Sequence, residues 1–249
     1  MTHLSVEKNG PVTTVRFTRP EKKNALDLAM YEAWAAAFEE AATDDAVRVV
    51  VLTGSAGIFT AGNDIGDFMR NPPTGESSPV FRVLTAVRTF PKPIVAAVDG
   101  PAIGIGTTIL LHCDLVVATD SARFQLPFVN LALVPEAASS VLLPAVVGMH
   151  RAAEWLMLGE PFDAQAALVA GLVNRVVTAA ALEPTAQDIA ARLAQKPKEA
   201  LRLTKKLLRG PTSAQVEQTM RDESALFLER LASAEPMEAF MAFASRKSK

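Results

Sequence analysis

Three short runs rich in β-branched residues, Val47–Leu52, Ile94–Val98 and Leu115–Ala118, limit the possible folds more than any other feature of this 249-residue chain. Apart from Arg48 they are almost continuously apolar, the pattern of strands buried on both faces rather than one. Between them the period becomes helical. Leu28, Tyr31, Trp34, Ala35 and Phe38 share one helical face, and Asp27 stands where it can cap the helix start. Further helices are expected over Val80–Arg88 and Thr107–His112. Strands joined by helical crossovers imply an α/β fold with right-handed βα units.

Leu4–Lys8 and Val12–Phe17 flank Asn9-Gly10, a dipeptide that favours a hairpin turn. Asn71–Pro79, rich in Pro, Ser and Gly, reads as a mobile loop. Beyond about residue 137 the pattern is helical: Ala138–Val146, Met149–Leu158, Ala164–Ala170, Leu182–Ala194, Pro197–Leu208, Ala214–Ala232 and Pro236–Ala244. One late strand is expected in Gly171–Val177. The expected division is a core domain over 1–195 and a helical region over 196–249.

Composition excludes several classes of function. The net charge is −2 and no long run of Lys and Arg appears, so a nucleic-acid partner is not expected. The single cysteine, Cys113, has no intrachain disulfide partner and reads as a buried, inert thiol. His3, His112 and His150 lack metal-ligand spacing, so no metal site is expected. No basic segment followed by an apolar one opens the chain, and no apolar stretch reaches the ~18 residues of a membrane span. A cytoplasmic protein without a membrane partner is the expectation.

Two glycine-bearing turns carry the chemical signal. Phe59–Ile65 follows one strand; Asp99–Thr108 follows another and opens a helix. Glycine permits sharp turns and leaves neighbouring amides unshielded, and a helix N-terminus adds unsatisfied donors. Two such amides aimed at one point would stabilise a carbonyl oxyanion. Either turn alone is compatible with a purely structural role. Gly104-x-Gly106 begins a dinucleotide fingerprint, but Ile109 stands where its third glycine belongs, and no phosphate-loop Gly-Lys-Ser/Thr follows.

Taken in order, these segments resemble the enoyl-CoA hydratase/isomerase (crotonase) family. The collinear set is Arg19–Leu26, Val49–Gly54, Phe59–Ile65, Lys92–Gly100, the Gly104 turn, Cys113-Asp114-Leu115 and Gly171–Asn174. The resemblance implies a ββα superhelix core with a C-terminal helical region serving trimerisation, and a homotrimer or a hexamer made from two trimers. It implies an acyl-CoA thioester substrate and no separate cofactor. By the same resemblance the oxyanion amides belong to Asn63 and Ile105, beside Gly104, with a branched Ile105 where the family usually has glycine. Ala61, Gly62, Asp64, Ile65 and Gly104 would contact coenzyme A or its acyl group, and Lys23, Asn24, Ala25 and Leu26 would extend that surface. Lys22 and Lys23 also fit ordinary solvated charge, and Asp64 also fits a turn cap.

The two glutamates by which family hydratases activate water are replaced here by Thr108 and Phe128, and neither suits that work alone. Phe128 would instead border the substrate. Glu136, after the apolar Leu131–Val134 stretch, is another available acid. Apolar surroundings would raise its pKa; a first-turn glutamate complementing a helix dipole is the alternative. Leu133–Ser140 resembles the catalytic segment of peroxisomal-type Δ3,Δ2-enoyl-CoA isomerases, which implies that Glu136 shuttles the proton. The rival expectations are a hydratase, an acyl-CoA hydrolase, or a non-catalytic acyl-CoA-binding relative. Phe68, Met69 and Phe81 are candidates for an acyl pocket, and His112 for a packed helix end.

Overall fold

A computed structural model of the chain describes residues 3–73, 75 and 78–246. Part of the loop expected at Asn71–Pro79, residues 74, 76 and 77, lies outside the described residues. The chain opens with β1 (Leu4–Asn9) and β2 (Val12–Phe17), antiparallel about a turn in which Gly10 takes φ 57°. Next come α1 (Leu28–Thr43) and β3 (Val49–Thr53). Asp27 caps α1 by accepting from the Met30 amide at 2.9 Å. Two helices, α2 (Ile65–Arg70) and α3 (Pro79–Thr89), lead to β4 (Ile94–Val98). Then follow β5 (Pro101–Ile103), the single-turn α4 (Ile105–Thr108) with a 3-10 continuation over Ile109–His112, β6 (Leu115–Thr119) and β7 (Arg123–Gln125).

The second half holds α5 (Ser139–Val147), α6 (Met149–Leu158), β8 (Phe162–Asp163), α7 (Ala164–Val169) and β9 (Arg175–Val177). It ends with α8 (Ala179–Ala194), α9 (Lys198–Arg209), α10 (Ser213–Leu231) and α11 (Ala234–Arg246). Among the described residues no helix is long and apolar enough to cross a membrane.

The main sheet runs β1-β2-β3-β4-β6-β9, parallel from β2 onward. Its central strands are buried on both faces, as their composition requires. Val50, Leu52, Ile94, Ala96 and Val98 face the larger core, with Trp34 and Phe38 of α1. The alternate residues Val49, Val51, Val95 and Ala97 face a second core closed by Leu182, Ala186, Ile189 and Ala190 of α8. Period-two alternation thus divides each strand between two helical layers.

A smaller sheet, β5-β7-β8, corrects the expectation of helix with one late strand beyond residue 137. Its members are two or three residues long, too short for a periodic signal. Phe162 of β8 stacks on Trp155 with ring centroids 3.6 Å apart, which fixes this sheet to α6. Cys113 is buried, and burial pushes its thiol up to about 12.

The last helices return to the core. Phe227 of α10 and Phe240 of α11 belong to the same apolar cluster as Phe17 and Trp34. On α9, the buried Lys205 bonds Asp114 and the Lys92 carbonyl, each at 2.7 Å. Through Lys205, Phe227 and Phe240 these helices close the core of their own chain.

Candidate active site

Three backbone segments lie side by side and build the site. Residues 24–26, 60–64 and 101–103 are joined by parallel bridges pairing Leu26 with Asn63 and Thr60 with Ala102. The Leu26 amide donates to the Gly62 carbonyl at 2.8 Å, and the Asp64 amide to the Leu26 carbonyl at 2.9 Å. On the opposite side, the Thr60 amide donates to the Pro101 carbonyl and the Ile103 amide to the Thr60 carbonyl. The two glycine turns are therefore neighbours in one hydrogen-bonded layer.

The close approach requires glycine at Gly62. Its φ is 84°, and a Cβ there would lie 2.8 Å from the Ile103 carbonyl oxygen. Gly104, with φ 56° and ψ −117°, turns the chain from β5 into α4 and leaves Ile105 as the first helical residue. Among the described residues, neither the Asn63 amide nor the Ile105 amide has a protein acceptor. Both residues line one cavity of about 1180 Å³. The Asn63 side chain is held separately: the buried Tyr31 hydroxyl donates to its Oδ1 at 2.5 Å.

Glu136 lines the same cavity. Thr108, at the end of α4, donates its hydroxyl to Glu136 Oε1. Burial raises the Glu136 carboxyl to about 8; the Thr108 hydrogen bond opposes this and the charge of Glu223 adds to it. Burial, reinforced by the charge on Glu136, also holds the Tyr31 phenol well above its ordinary value. Phe68, Met69, Phe81, Phe128 and Phe240 make much of the remaining wall apolar. Rings of Phe68 and Phe227 meet edge to face at 6.1 Å, joining α2 to α10 across it.

Of the residues expected at a coenzyme A surface, Lys23, Ala25, Ala61, Gly62, Asp64, Ile65 and Gly104 line the cavity. Asn24 and Leu26 do not, and the structure reassigns them to the scaffold. Both are buried. Asn24 Oδ1 accepts from the Arg19 amide at 2.8 Å, while Nδ2 donates to the Ile58 carbonyl at 2.7 Å and the Ser55 carbonyl at 3.2 Å. These bonds hold a left-handed backbone, φ 52°, that asparagine tolerates better than alanine. Removing them would leave buried groups unpaired, so Asn24→Ala is expected to lower stability in urea titrations by about 3 kcal/mol. A loss below about 1 kcal/mol with weakened coenzyme A binding would instead return Asn24 to the ligand surface.

Asp64 proves to be a cap. It accepts from the Asp67 amide at 3.1 Å and from Arg19 at 2.8 Å. Burial pushes its carboxyl up, but these donors outweigh that and hold it below the ordinary carboxylate range. His112 is buried with Nε2 2.8 Å from the Ala137 carbonyl, and burial pushes its ring down to about 4. Sequence reasoning did not single out Tyr31 or Glu223 for the site. Tyr31 carries only a core signal, and Glu223 reads as one more acid on an amphipathic helix.

Comparison with known proteins agrees with this geometry. The family model described as enoyl-CoA hydratase/isomerase matches residues 7–249. Enoyl-CoA delta isomerase 2 of Rattus norvegicus is 34% identical over 99% of this chain, which spans 64% of that relative's length. 4-chlorobenzoyl coenzyme A dehalogenase-2 of an Arthrobacter species is 34% identical over 89% of this chain and 83% of its own. The solved enoyl-CoA hydratase/isomerase from Pseudoalteromonas atlantica T6c superposes with a TM-score of 0.94 at 43% identity, covering 98% of this chain and 97% of that one. With the two unpaired amides and the crotonase arrangement of its strands, the chain belongs to the enoyl-CoA hydratase/isomerase family.

Proposed function

We propose that this protein is an enoyl-CoA isomerase that moves a double bond from the 3,4 to the 2,3 position of an acyl-CoA thioester. The observation carrying this reading is a raised carboxyl, Glu136, in one cavity with two amides that have no protein acceptor. The amides of Asn63 and Ile105 receive the thioester oxygen. Glu136 removes a C2 proton, the electron pair moves into a dienolate held by those amides, and the same carboxyl returns a proton to C4. No separate cofactor enters this scheme.

The cavity's other acids support a single base. Asp64 is engaged by Arg19 and the Asp67 amide, and Glu21 sits beside Lys22 and Lys23 on the loop before α1. Phe128 and Thr108 hold the positions where hydratases of the family carry glutamates. Phe128 cannot transfer a proton, and the Thr108 hydroxyl is committed to Glu136. The similarity to enoyl-CoA delta isomerase 2 supports the same choice, while that to a dehalogenase marks the breadth of chemistry on this fold.

The test is conversion of 3-hexenoyl-CoA, followed by the ultraviolet absorbance of the conjugated product. Glu136 acts as a base only when ionised, so kcat/KM is expected to rise with pH through a midpoint near 8. Water incorporation would favour a hydratase or hydrolase. No turnover across several chain lengths, with coenzyme A esters still bound, would remove the isomerase reading.

A homotrimer, or a hexamer of two trimers, is proposed as the assembly. Met149, Met157 and Val169 near α6 and α7, and Leu207 and Leu208 on α9, leave apolar surface exposed in the single chain. Sedimentation equilibrium measures the state directly, and a monomer would contradict the proposal.

A further inference from the structure

Among the described residues, Lys205 and Glu223 are the buried charged side chains. Lys205 has Asp114 as its counter-ion. Glu223, on α10, has no cationic partner among the described residues. Its Oε2 accepts from the Ala138 amide at 2.6 Å and its Oε1 from the Ser140 amide at 2.9 Å. A buried carboxylate is costly unless its oxygens are satisfied, and here backbone donors satisfy both.

Those donors begin α5, directly after Glu136. The cap residue of α5 is Ala138, which has no side chain able to accept a hydrogen bond, so Glu223 performs the capping from another helix. The backbone it holds is unusual. Ala137 and Ala138 take φ 59° and φ 56°, two successive alanines in the left-handed region. Such conformations persist only where surroundings impose them. The surroundings here are Glu223 on the amides and, on the Ala137 carbonyl, the buried His112 ring, whose Nε2–H donates in the neutral form. Thr108 bonds the Glu136 carboxyl itself. Glu136 is thus held at its tip by α4 and at its root by α10.

We infer that Glu223 is the positioning residue of Glu136, holding through the Ala138 and Ser140 amides the left-handed turn that aims the Glu136 carboxyl into the cavity. This rests on the reading of Glu136 as the base. Glu223 acts on the base and does not touch the substrate. A side chain that merely stabilised α5 would leave the ionisation of Glu136 alone; Glu223 also adds a negative charge beside it. The other polar and titratable groups around this segment include Tyr31 of α1, Thr108 of α4, His112 of the 3-10 turn that follows α4, and the Ser139 and Ser140 hydroxyls of α5, the second of which also bonds Glu223.

The experiment uses octanoyl-CoA, a saturated probe, and follows exchange of its C2 protons for deuterium in D2O by mass spectrometry. Glu136 takes the C2 proton, the electron pair rests on the thioester as an enolate at the two amides, and a deuteron returns from the exchanged carboxyl. No double bond is needed, so the readout stands apart from the isomerase assignment. Glu223→Gln retains size but sets an amide N–H2 against a backbone N–H. Its exchange rate is expected to fall about 10²-fold. The pH midpoint of exchange should move below that of the parent, because a negative neighbour has been removed. Octanoyl-CoA affinity, read by calorimetry, should stay within about threefold. Glu223→Asp, which keeps the charge, should restore the midpoint and part of the rate.

Parental exchange rate and midpoint in Glu223→Gln, with Glu136→Gln silent, would overturn the inference and leave the base in place. Rate, affinity and melting temperature falling together with the midpoint unmoved would overturn it in favour of a structural role. If Glu223→Gln does not fold, Glu223→Asp decides: a reduced rate with retained affinity supports positioning, and a parental rate refutes it. Exchange persisting in Glu136→Gln would remove the base reading itself, and the inference with it.

Discussion

Glu136→Gln is expected to lower turnover of 3-hexenoyl-CoA by about 10³-fold, within the range that loss of a general base produces. The substitution is nearly isosteric, and a glutamine carbonyl can still accept from the Thr108 hydroxyl that now bonds Oε1. The cavity and the unpaired Asn63 and Ile105 amides remain, so octanoyl-CoA should bind about as well as to the parent. A kcat loss without a binding loss marks an interaction made only as the reaction proceeds. Stability supplies an independent check with a defined sign. The folded state raises the Glu136 carboxyl from 4.5 to about 8. Its contribution to stability is therefore complete below pH 4.5 and is lost as pH rises through about 8. Glutamine does not titrate, so the variant should gain in melting temperature relative to the parent across that window. Parental turnover in Glu136→Gln would defeat the assignment.

Gly62→Ala should act on the other half of the site. A Cβ at residue 62 would meet the Ile103 carbonyl at 2.8 Å, a backbone atom that cannot rotate away, and φ is 84°. The strand bearing Asn63 must then separate from the strand leading to Gly104 and Ile105, and the two donors no longer converge. Loss of one oxyanion donor costs about 10²- to 10³-fold in kcat. That is the expected fall, accompanied by weaker binding of coenzyme A esters. The main core lies away from the change, so circular dichroism should still report a folded protein. Unaltered kcat would mean that the donors lie elsewhere.

Much of the fold was legible because its strands carry a strong signal. Val49–Thr53 and Ile94–Val98 are apolar at every position or nearly so, and burial between two helical layers is the physical reason. The small sheet was illegible for the opposite reason: β8 is a dipeptide, held by its partner strand and by Phe162 stacking on Trp155. α2 gives little periodic signal because it is six residues long with Gly66 in its first turn, and only its cap, Asp64, is legible in sequence. α8 begins at Ala179, three residues before the expected Leu182, so Pro184 sits in its second turn rather than its first.

In the site, Asn63, Ile105 and Glu136 were reached through the resemblance, and the structure places all three on one cavity. Asn24 and Leu26 were expected on the binding surface through the same resemblance. Lys23 and Asn24 form a left-handed turn, φ 54° and 52°, in which the Asn24 side-chain amide bonds the Ser55 and Ile58 carbonyls, and Leu26 packs into the core. Glu223 could not be found from sequence, since its role depends on contact with residues more than eighty positions earlier.

The two-faced sheet has a consequence for the order in which the protein is made. β3, β4 and β6 are complete once residue 119 has been added, but the residues of α8 that cover their second face run to Ala194. At ordinary synthesis rates of ~5–20 residues per second, that interval is on the order of ten seconds. Through it the nascent chain carries Val49, Val51, Val95 and Ala97 on a sheet face that its own later sequence has yet to cover. The ribosome, and whatever shields the emerging chain, must guard that face until α8 has been made.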